Sequence, residues 1–166
     1  GSATIGLDHI DQIYLTQEGI RFAHAPGCNA AAVVQYVFSA LCQLCPDWEL
    51  KTVGIVGCGN VGNLLRKKLL SLNVNCRVYD PFLSSIEGSE LSNLNYVAKS
   101  DIVTIHTPLT FDGPHPTAKM IDQKIINEMK ESAVLINAGR GEVIDSEALL
   151  KRLKFGKPLK VALDVW

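Results

Sequence analysis

The 166-residue sequence has almost no excess of charge of either sign. Its 16 lysines and arginines nearly balance its 17 aspartates and glutamates, which leaves a formal net charge of -1. Proteins that attract nucleic acids or acidic lipids through bulk electrostatics carry a clear basic excess. We therefore expect neither a nucleic-acid partner nor a membrane partner for this chain.

Long apolar runs are also absent. The longest candidate, residues 30–44, is interrupted by Gln35, Ser39 and Gln43, whereas a membrane-spanning helix needs roughly 20 predominantly apolar residues. The sequence has no initiator methionine, basic leader or cleavage signal. These absences predict a soluble protein, and we expect the chain to be part of a longer one.

Cysteine is sparse and odd in number. The five cysteines, most of them among aliphatic neighbours, are Cys28, Cys42, Cys45, Cys58 and Cys76. This usage is typical of buried thiols in a reducing compartment, so we expect a cytoplasmic protein. Cys42 and Cys45 form a CxxC pattern, but there is no second CxxC and no paired histidine, so the sequence predicts no metal site.

What the chain does contain is a regular alternation of apolar patterns within a 47% hydrophobic composition, which suits one ordinary domain. Five β-branched runs predict buried strands over residues 52–56, 76–79, 102–106, 133–137 and 161–165. Helical patterns lie between them, over residues 61–72, 91–98, 123–130 and 147–154. The alternation predicts an α/β fold with a doubly wound parallel sheet of right-handed βαβ units.

A further helix is expected ahead of the first strand. Asn29 is predicted to cap a helix over residues 30–44. The outward face of this helix is also rather apolar, with Ala31, Ala32 and Tyr36 among its residues. A partner subunit of a homodimer and a domain outside the chain are equally good candidates to cover that face.

The segment GCGNVG follows the first predicted strand and opens a predicted helix. In such a turn Gly57 permits the tight bend, Gly59 lets a pyrophosphate approach the backbone, and Gly62 lets helix and strand pack closely. The helix N-terminus at Asn60 and Val61 offers N–H groups to phosphates. The pattern therefore indicates a dinucleotide site, the alternative being a glycine-rich turn without a ligand.

An acidic residue stands where a dinucleotide site needs one. Asp80 ends the second predicted strand about 20 residues after Gly59, the spacing of an acid that accepts hydrogen bonds from the adenosine ribose. Pro81 and Phe82 follow it rather than an arginine, which favours NAD over NADP. The alternative is an ordinary turn aspartate before a proline.

The third predicted strand is followed by His106, Thr107 and Pro108. Pro108 fixes the backbone, and Thr107 can offer a hydroxyl and an N–H to a cofactor. We interpret His106 as a hydrogen-bonded structural group at the end of an apolar strand, with an acid/base role as the alternative. His115, between two prolines, is interpreted as a solvated loop residue.

Two further charged residues end predicted strands. Arg140, between two glycines, can hold a carboxylate with its planar fork, or it is a solvated surface residue. Asp164 can accept a hydrogen bond from a nicotinamide carboxamide, or it caps a turn. By contrast, the three basic residues of the first crossover helix, Arg66, Lys67 and Lys68, are predicted to form its solvated face.

The segments GIVGCGNVG, YDP, HTPLT, INAGRGEVID and ALDVW occur in this order. Together they resemble the NAD-binding domain of the D-2-hydroxyacid dehydrogenases. The segments GSATIGLDHID, APGCNAAAVVQYVFSAL and DGPHPTAKM are similar to one branch of that family, which oxidises a phosphorylated 2-hydroxy acid. The resemblance implies a Rossmann-type NAD-binding domain over residues 1–166. Residues 1–29 then form the leading segment, at the junction with a substrate domain largely outside the chain.

The resemblance also implies roles for single residues. Asp80 matches the ribose-binding acid, Thr107 a cofactor-contacting threonine, and Asp164 the nicotinamide-side acid. Arg140 matches the catalytic arginine that grips the substrate carboxylate, and Thr4 a substrate-contacting threonine. The family's acid/base histidine and its paired glutamate both follow the DVW motif, beyond this chain. We therefore expect these residues alone to bind NAD and to turn over almost nothing.

The sequence leaves two alternatives open to the NAD-linked oxidation of a phosphorylated 2-hydroxy acid. One is another D-2-hydroxyacid dehydrogenase, such as a glycerate or phosphoglycerate type, because the pocket residues that choose the substrate are largely absent. The other is a non-catalytic nucleotide-sensing module, because a fold can be kept while its reaction is lost.

Overall fold

Short β-branched runs form the central sheet in the computed structural model, which describes residues 1–2, 6–7 and 10–166. The strands are β1 (Val53–Val56), β2 (Cys76–Tyr79), β3 (Glu90–Leu91), β4 (Ile102–Ile105), β5 (Ala133–Asn137) and β6 (Leu159–Leu163). All pairs are parallel, and the spatial order is β3-β2-β1-β4-β5-β6. In the middle of the sheet, Val53 lies opposite Cys76 on one side and Ile102 on the other.

Helices cover both faces of this sheet. They are α1 (Gln12–Gln17), α2 (Ala30–Leu44), α3 (Asn60–Ser71), α4 (Leu94–Ala98), α5 (Gln123–Glu128) and α6 (Ser146–Phe155). On one face, Val37 of α2 and Leu65 of α3 share a buried cluster with Ile55. On the other face, Ile126 of α5 packs in a second buried cluster with Ile105. The doubly wound architecture predicted from the sequence is therefore confirmed.

The five predicted strands are all present, but a sixth was missed. Strand β3 contains only Glu90 and Leu91 and pairs with Arg77 and Val78 at the edge of the sheet. A strand of two residues is too short to show a period of two. The helix predicted over residues 91–98 was consequently wrong at its start.

The helix that follows β3 begins later because of its cap. The Asn93 side chain accepts a hydrogen bond from the Tyr96 N–H at 2.9 Å, which fixes the start of α4 at Leu94. The last strand is also displaced from its prediction, since β6 ends at Leu163 rather than at residue 165. Helix α1 has no counterpart among the predictions.

Two side chains differ from their sequence interpretation. Asn29 stands at the N-cap of α2, but its side chain makes no capping hydrogen bond. Arg66 is only 7% exposed, so its assignment to the solvated face was wrong, whereas Lys67 and Lys68 are exposed as predicted. The Arg66 guanidinium donates to the Glu87 carbonyl and to the Asn63 side chain, and so ties α3 to the segment before β3.

Fewer of the five cysteines are buried than the sequence indicated. Cys45 and Cys76 are buried, Cys58 is half-buried, and Cys28 and Cys42 are exposed. Among the helices of the described residues, none is both long enough and apolar enough to cross a membrane.

Candidate functional site

A cleft of about 500 Å³ opens at the carboxyl ends of the central strands. Its walls come from segments that are distant in the sequence: 57–61, 79–82, 106–120 and 138–140 each contribute residues, together with Gly27, Asn29 and Val33 before and within α2. This is the edge of a parallel α/β sheet at which ligands bind. The predicted residues that it brings together are Gly57, Gly59, Asn60, Val61, Asp80, Thr107, Pro108 and Arg140.

The glycine turn has the geometry that its sequence predicts. Gly57 has a φ of 86°, in the left-handed region that favours glycine. A Cβ added to Gly62 would lie 2.0 Å from the Gly57 carbonyl oxygen, so only glycine lets α3 approach β1 this closely. A Cβ at Gly59 would meet nothing within 4 Å, because this residue borders the open space of the cleft.

Helix α3 presents its N-terminus to the same space. Its N-cap is Gly59, which has no side chain to accept from the first N–H groups, and no acidic residue lies in the first turn. The N–H groups at the start of a helix have no partner within the helix, and the helix dipole adds a partial positive charge there. The turn and this helix end therefore suit a phosphate group.

Asp80 joins the end of β2 to the glycine turn. Its Oδ2 accepts a hydrogen bond from the Cys58 N–H at 2.9 Å, and its Oδ1 accepts one from the Phe82 N–H at 3.1 Å. The bond from Phe82 is the local turn contact that was the alternative interpretation of Asp80. The bond from Cys58 places the carboxylate beside the glycine turn. Each oxygen of a carboxylate can accept more than one hydrogen bond, so capacity is left for a sugar hydroxyl.

The end of β4 contains two buried polar atoms without partners. His106 Nε2 lies 2.9 Å from the Thr104 hydroxyl, but His106 Nδ1 has no hydrogen-bond partner, and neither has the Thr107 hydroxyl. Burial lowers the pKa of His106 to about 4, so its ring is neutral near pH 7. The interpretation of His106 as a structural group thus holds for one ring nitrogen and leaves the other open.

Arg140 is held at the cleft wall by its backbone neighbours. Asn137 is buried at the end of β5, where its Nδ2 donates to the Arg140 carbonyl at 2.9 Å and its Oδ1 accepts from the Gly139 N–H at 3.1 Å. Arg140 Nη1 donates to the Gly139 carbonyl at 2.9 Å. Sequence reasoning missed Asn137, although a lone amide at the end of an apolar strand is a signal for such a clamp.

Two predicted residues that the structure describes, Gly62 and Asp164, are not among those that line the cleft. Asp164 is exposed just after β6, and its N–H donates to the Asn137 carbonyl at 2.9 Å. Burial of the Tyr36 phenol, followed by the negative charge of Asp164, raises the pKa of Tyr36. Thr4 lies outside the described residues. The roles predicted for Asp164 and Thr4 stay predictions.

Sequence reasoning also missed that the 110–117 loop forms part of the cleft wall. The 110–117 loop borders the cleft through Thr110, Asp112, Pro114, His115 and Thr117. The prolines on either side of His115 identified it as a loop residue, but nothing in that pattern indicates towards which strand end the loop folds.

These features fit an adenine dinucleotide. The Gly59 turn leaves room for a pyrophosphate, Asp80 stands at the next strand end, and the unpartnered Thr107 hydroxyl lies at the wall between them and Arg140. A buried polar group without a partner is costly, and a ligand in the cleft would supply a partner for the Thr107 hydroxyl.

Known proteins resemble this chain throughout its length. Erythronate-4-phosphate dehydrogenase of Cellvibrio japonicus is 44% identical over 166 residues, which are 100% of this chain and 44% of that protein. The enzyme of the same name from Klebsiella pneumoniae is 48% identical over 172 aligned positions, covering 100% of this chain and 46% of that protein. The chain thus spans less than half the length of these curated relatives.

The fold has known counterparts as well. A D-lactate dehydrogenase from Aquifex aeolicus, solved with NAD and lactic acid, superimposes with a TM-score of 0.84 at 26% identity, covering 98% of this chain and 56% of that one. The sequence pattern of the D-isomer specific 2-hydroxyacid dehydrogenase NAD binding domain matches residues 38–166. The chain therefore belongs to the D-isomer-specific 2-hydroxyacid dehydrogenase family, with residues 38–166 matching its NAD-binding domain.

Proposed function

We propose that the whole protein oxidises 4-phospho-D-erythronate to its 2-oxo acid with NAD, and that this chain supplies the cofactor domain. The observation that carries the proposal is the glycine turn, open at Gly59, closed against the helix at Gly62 and bonded to Asp80 through Cys58. The substrate is supported by relatives named erythronate-4-phosphate dehydrogenase at 44% and 48% identity.

Different residues of the cleft bind different parts of the cofactor. The N–H groups at the start of α3 hold the pyrophosphate, and the Asp80 carboxylate accepts from the ribose hydroxyls. Thr107 and Pro108 border the middle of the cleft, and Asp164 is the acceptor for the carboxamide of the nicotinamide. When bound, NAD supplies the hydride acceptor of the reaction.

Arg140 is the residue of this chain that we assign to the substrate. Its guanidinium is planar and always charged, so it can hold the carboxylate of a 2-hydroxy acid through two parallel hydrogen bonds. The grip orients the carbon that carries the hydroxyl group. Thr4 is proposed as a further substrate contact.

His106 is not suited to accept the proton of the substrate hydroxyl. Its pKa of about 4 makes it a weak base near neutral pH, and its Nε2 is already paired with Thr104. A general base works best when its pKa lies near the operating pH. We therefore assign proton transfer to a group outside these 166 residues.

We propose that the protein acts in pyridoxal phosphate biosynthesis, as a cytoplasmic enzyme. The odd number of cysteines and their scattered positions support a reducing compartment. We also propose a homodimer formed through the outward face of α2, where Ala31, Ala32 and Gln35 are exposed. Light scattering on the whole protein tests this, and an Ala32→Glu variant is expected to be monomeric.

The direct test of the function is NADH formation by the whole protein. We expect a higher kcat/KM for 4-phospho-D-erythronate than for D-glycerate or D-3-phosphoglycerate, and a lower one when NADP replaces NAD. A preference for glycerate or phosphoglycerate would assign the protein to another branch of the family. Binding of NAD without turnover of any 2-hydroxy acid would indicate a nucleotide-sensing protein.

A further inference from the structure

Two aromatic side chains from separate loops meet above one end of the cleft. Phe82 follows Asp80 and Pro81 after β2, and His115 belongs to the 110–117 loop after β4. Their ring centroids are 5.5 Å apart and their planes are inclined by 88°, the edge-to-face arrangement that aromatic pairs prefer. Both residues also line the cleft. The contact therefore bridges the two walls of this end of the cleft.

Hydrogen bonds anchor the 110–117 loop at its base. The Thr110 N–H donates to the Thr117 hydroxyl at 2.8 Å, and the Thr117 N–H donates to the Thr110 hydroxyl at 3.1 Å. The Thr117 hydroxyl also donates to the Pro108 carbonyl at 2.6 Å. Residues 111–116 are exposed. The base is thus tied to the end of β4, while the tip meets the opposite wall through the His115 ring.

The position of this contact identifies which part of a dinucleotide lies beneath it. Asp80 marks the ribose of the adenosine, and the start of α3 marks the pyrophosphate. The adenine must therefore lie beyond Asp80, between Pro81 and Phe82 on one side and the loop on the other. Phe82 is 76% exposed, an unfavourable setting for a phenylalanine whose only ring contact in the described part of the chain is His115.

We propose that Phe82 and His115 form an aromatic latch that closes the adenosine end of the cleft and sets the rate at which the cofactor leaves. The inference rests on the proposed binding of NAD in this cleft. Bound adenine occupies the space beneath the two rings, and the ring contact must open before the dinucleotide can leave. Loss of either ring removes the same contact, so the two residues act as one unit.

The test is the dissociation rate of NADH from the whole protein, followed by stopped-flow fluorescence. His115→Ala and Phe82→Ala are each expected to raise this rate roughly three- to tenfold, the range that corresponds to one aromatic pair. The double variant is expected to match the single variants rather than their product.

Two further variants separate the ring contact from other effects. Phe111→Ala is the matched control. Phe111 lies on the same loop as His115 and is 76% exposed, as Phe82 is, but it is not among the cleft residues. Its dissociation rate should equal that of the wild type. His115→Phe keeps an aromatic ring without the imidazole nitrogens, and it should restore slow release.

Each result has a definite meaning. Unchanged release from His115→Ala, equal acceleration in Phe111→Ala, or a multiplicative double variant would overturn the latch while leaving NAD binding intact. Failure of the wild-type protein to bind NADH at all would instead overturn the proposed function, and the latch with it. Thermal melting of each variant verifies that it is folded.

Discussion

The cleft contains buried polar atoms without hydrogen-bond partners, whereas the buried arginine at the corner between α5 and α6 has several partners. Three buried side-chain atoms of the described residues have no hydrogen-bond partner, and those of His106 and Thr107 belong to residues that line the cleft. At the corner, Arg152 is only 4% exposed, and its guanidinium donates to carbonyl groups around it. The acceptors are the carbonyls of Ile126, Met129, Lys130 and Lys157.

The N-terminal ends of α5 and α6 are capped as well. Asp122 accepts from the Ile125 N–H at 2.8 Å, and Asp145 accepts from the Glu147 N–H at 3.1 Å. The start of α3, by contrast, has a glycine for its cap. Polar groups are therefore satisfied at the corner and at these two helix starts, whereas those of His106 and Thr107 have no protein partner at the cleft. The third unpartnered atom, Ser100 Oγ, belongs to a residue outside the cleft lining.

The sharpest test of the cleft side is Arg140→Ala. Loss of the guanidinium fork should lower kcat/KM about 10²- to 10³-fold, the usual cost of one charge-stabilising donor, with little change in melting temperature. Arg140→Lys keeps the charge without the fork and should fall in between. An Arg140→Ala variant with wild-type turnover would place this residue among ordinary surface arginines.

The corresponding test of the corner is Arg152→Met. Several carbonyls lose their donor at once, so we expect the free energy of unfolding to fall by about 3 kcal/mol, as measured by urea denaturation. The dissociation constant for NADH should not change. Lys151→Met, at the exposed neighbouring position, is the control and should stay within about 0.5 kcal/mol. Equal stability of the two variants would contradict the comparison.

The open polar atom of His106 predicts a pH effect on stability. The pKa of this residue is lowered to about 4 in the folded protein, so the unfolded chain binds the proton first as the pH falls through 6.5. Stability is therefore fully present above about pH 6.5 and is lost towards pH 4, by about 2 kcal/mol between pH 7 and pH 5.

A His106→Gln variant isolates this effect from the carboxylates, which titrate in both proteins. Glutamine can replace the Nε2 contact with Thr104 but does not titrate. Urea denaturation at pH 7 and pH 5 should show a smaller loss for the variant than for the wild type. Parallel losses would show that His106 is not held in its neutral form.

The smallest expected effect is that of Gly59→Ala. The added methyl group meets no protein atom within 4 Å and projects into the cleft. The melting temperature should be unchanged, while the dissociation constant for NADH rises about tenfold through the loss of one close phosphate contact. Unchanged affinity, measured by fluorescence titration, would move the pyrophosphate away from this turn.

Much of the fold and of the cleft could be predicted because the signals are local in sequence. The β-branched runs gave the five longer strands, and the glycine turn with Asp80 at its spacing located one end of the cleft. The buried arginines could not be predicted in this way. Arg152 meets the Ile126 carbonyl 26 residues earlier, and nothing near either residue in the sequence indicates that contact.

The same reasoning explains what was missed at the site. Phe82 and His115 meet only because β2 and β4 end at the same edge of the sheet, on either side of β1. Their contact depends on how two loops fold over that edge, which no periodicity encodes. The position of Asp164 was predicted incorrectly for a different reason. The strand β6 ends two residues earlier than its apolar pattern predicts, so Asp164 lies after the strand and not within it.

The paired threonines at the base of the 110–117 loop have a consequence for engineering. Because Thr110 and Thr117 close the loop on themselves and on Pro108, changes at its tip are mechanically separated from the sheet. Exposed loop tips are where chains best accept altered sequence. The exposed positions of this segment that do not line the cleft, such as Phe111, are therefore places where a dye or an altered side chain can be introduced while the register of the preceding strand and the His115 contact are preserved.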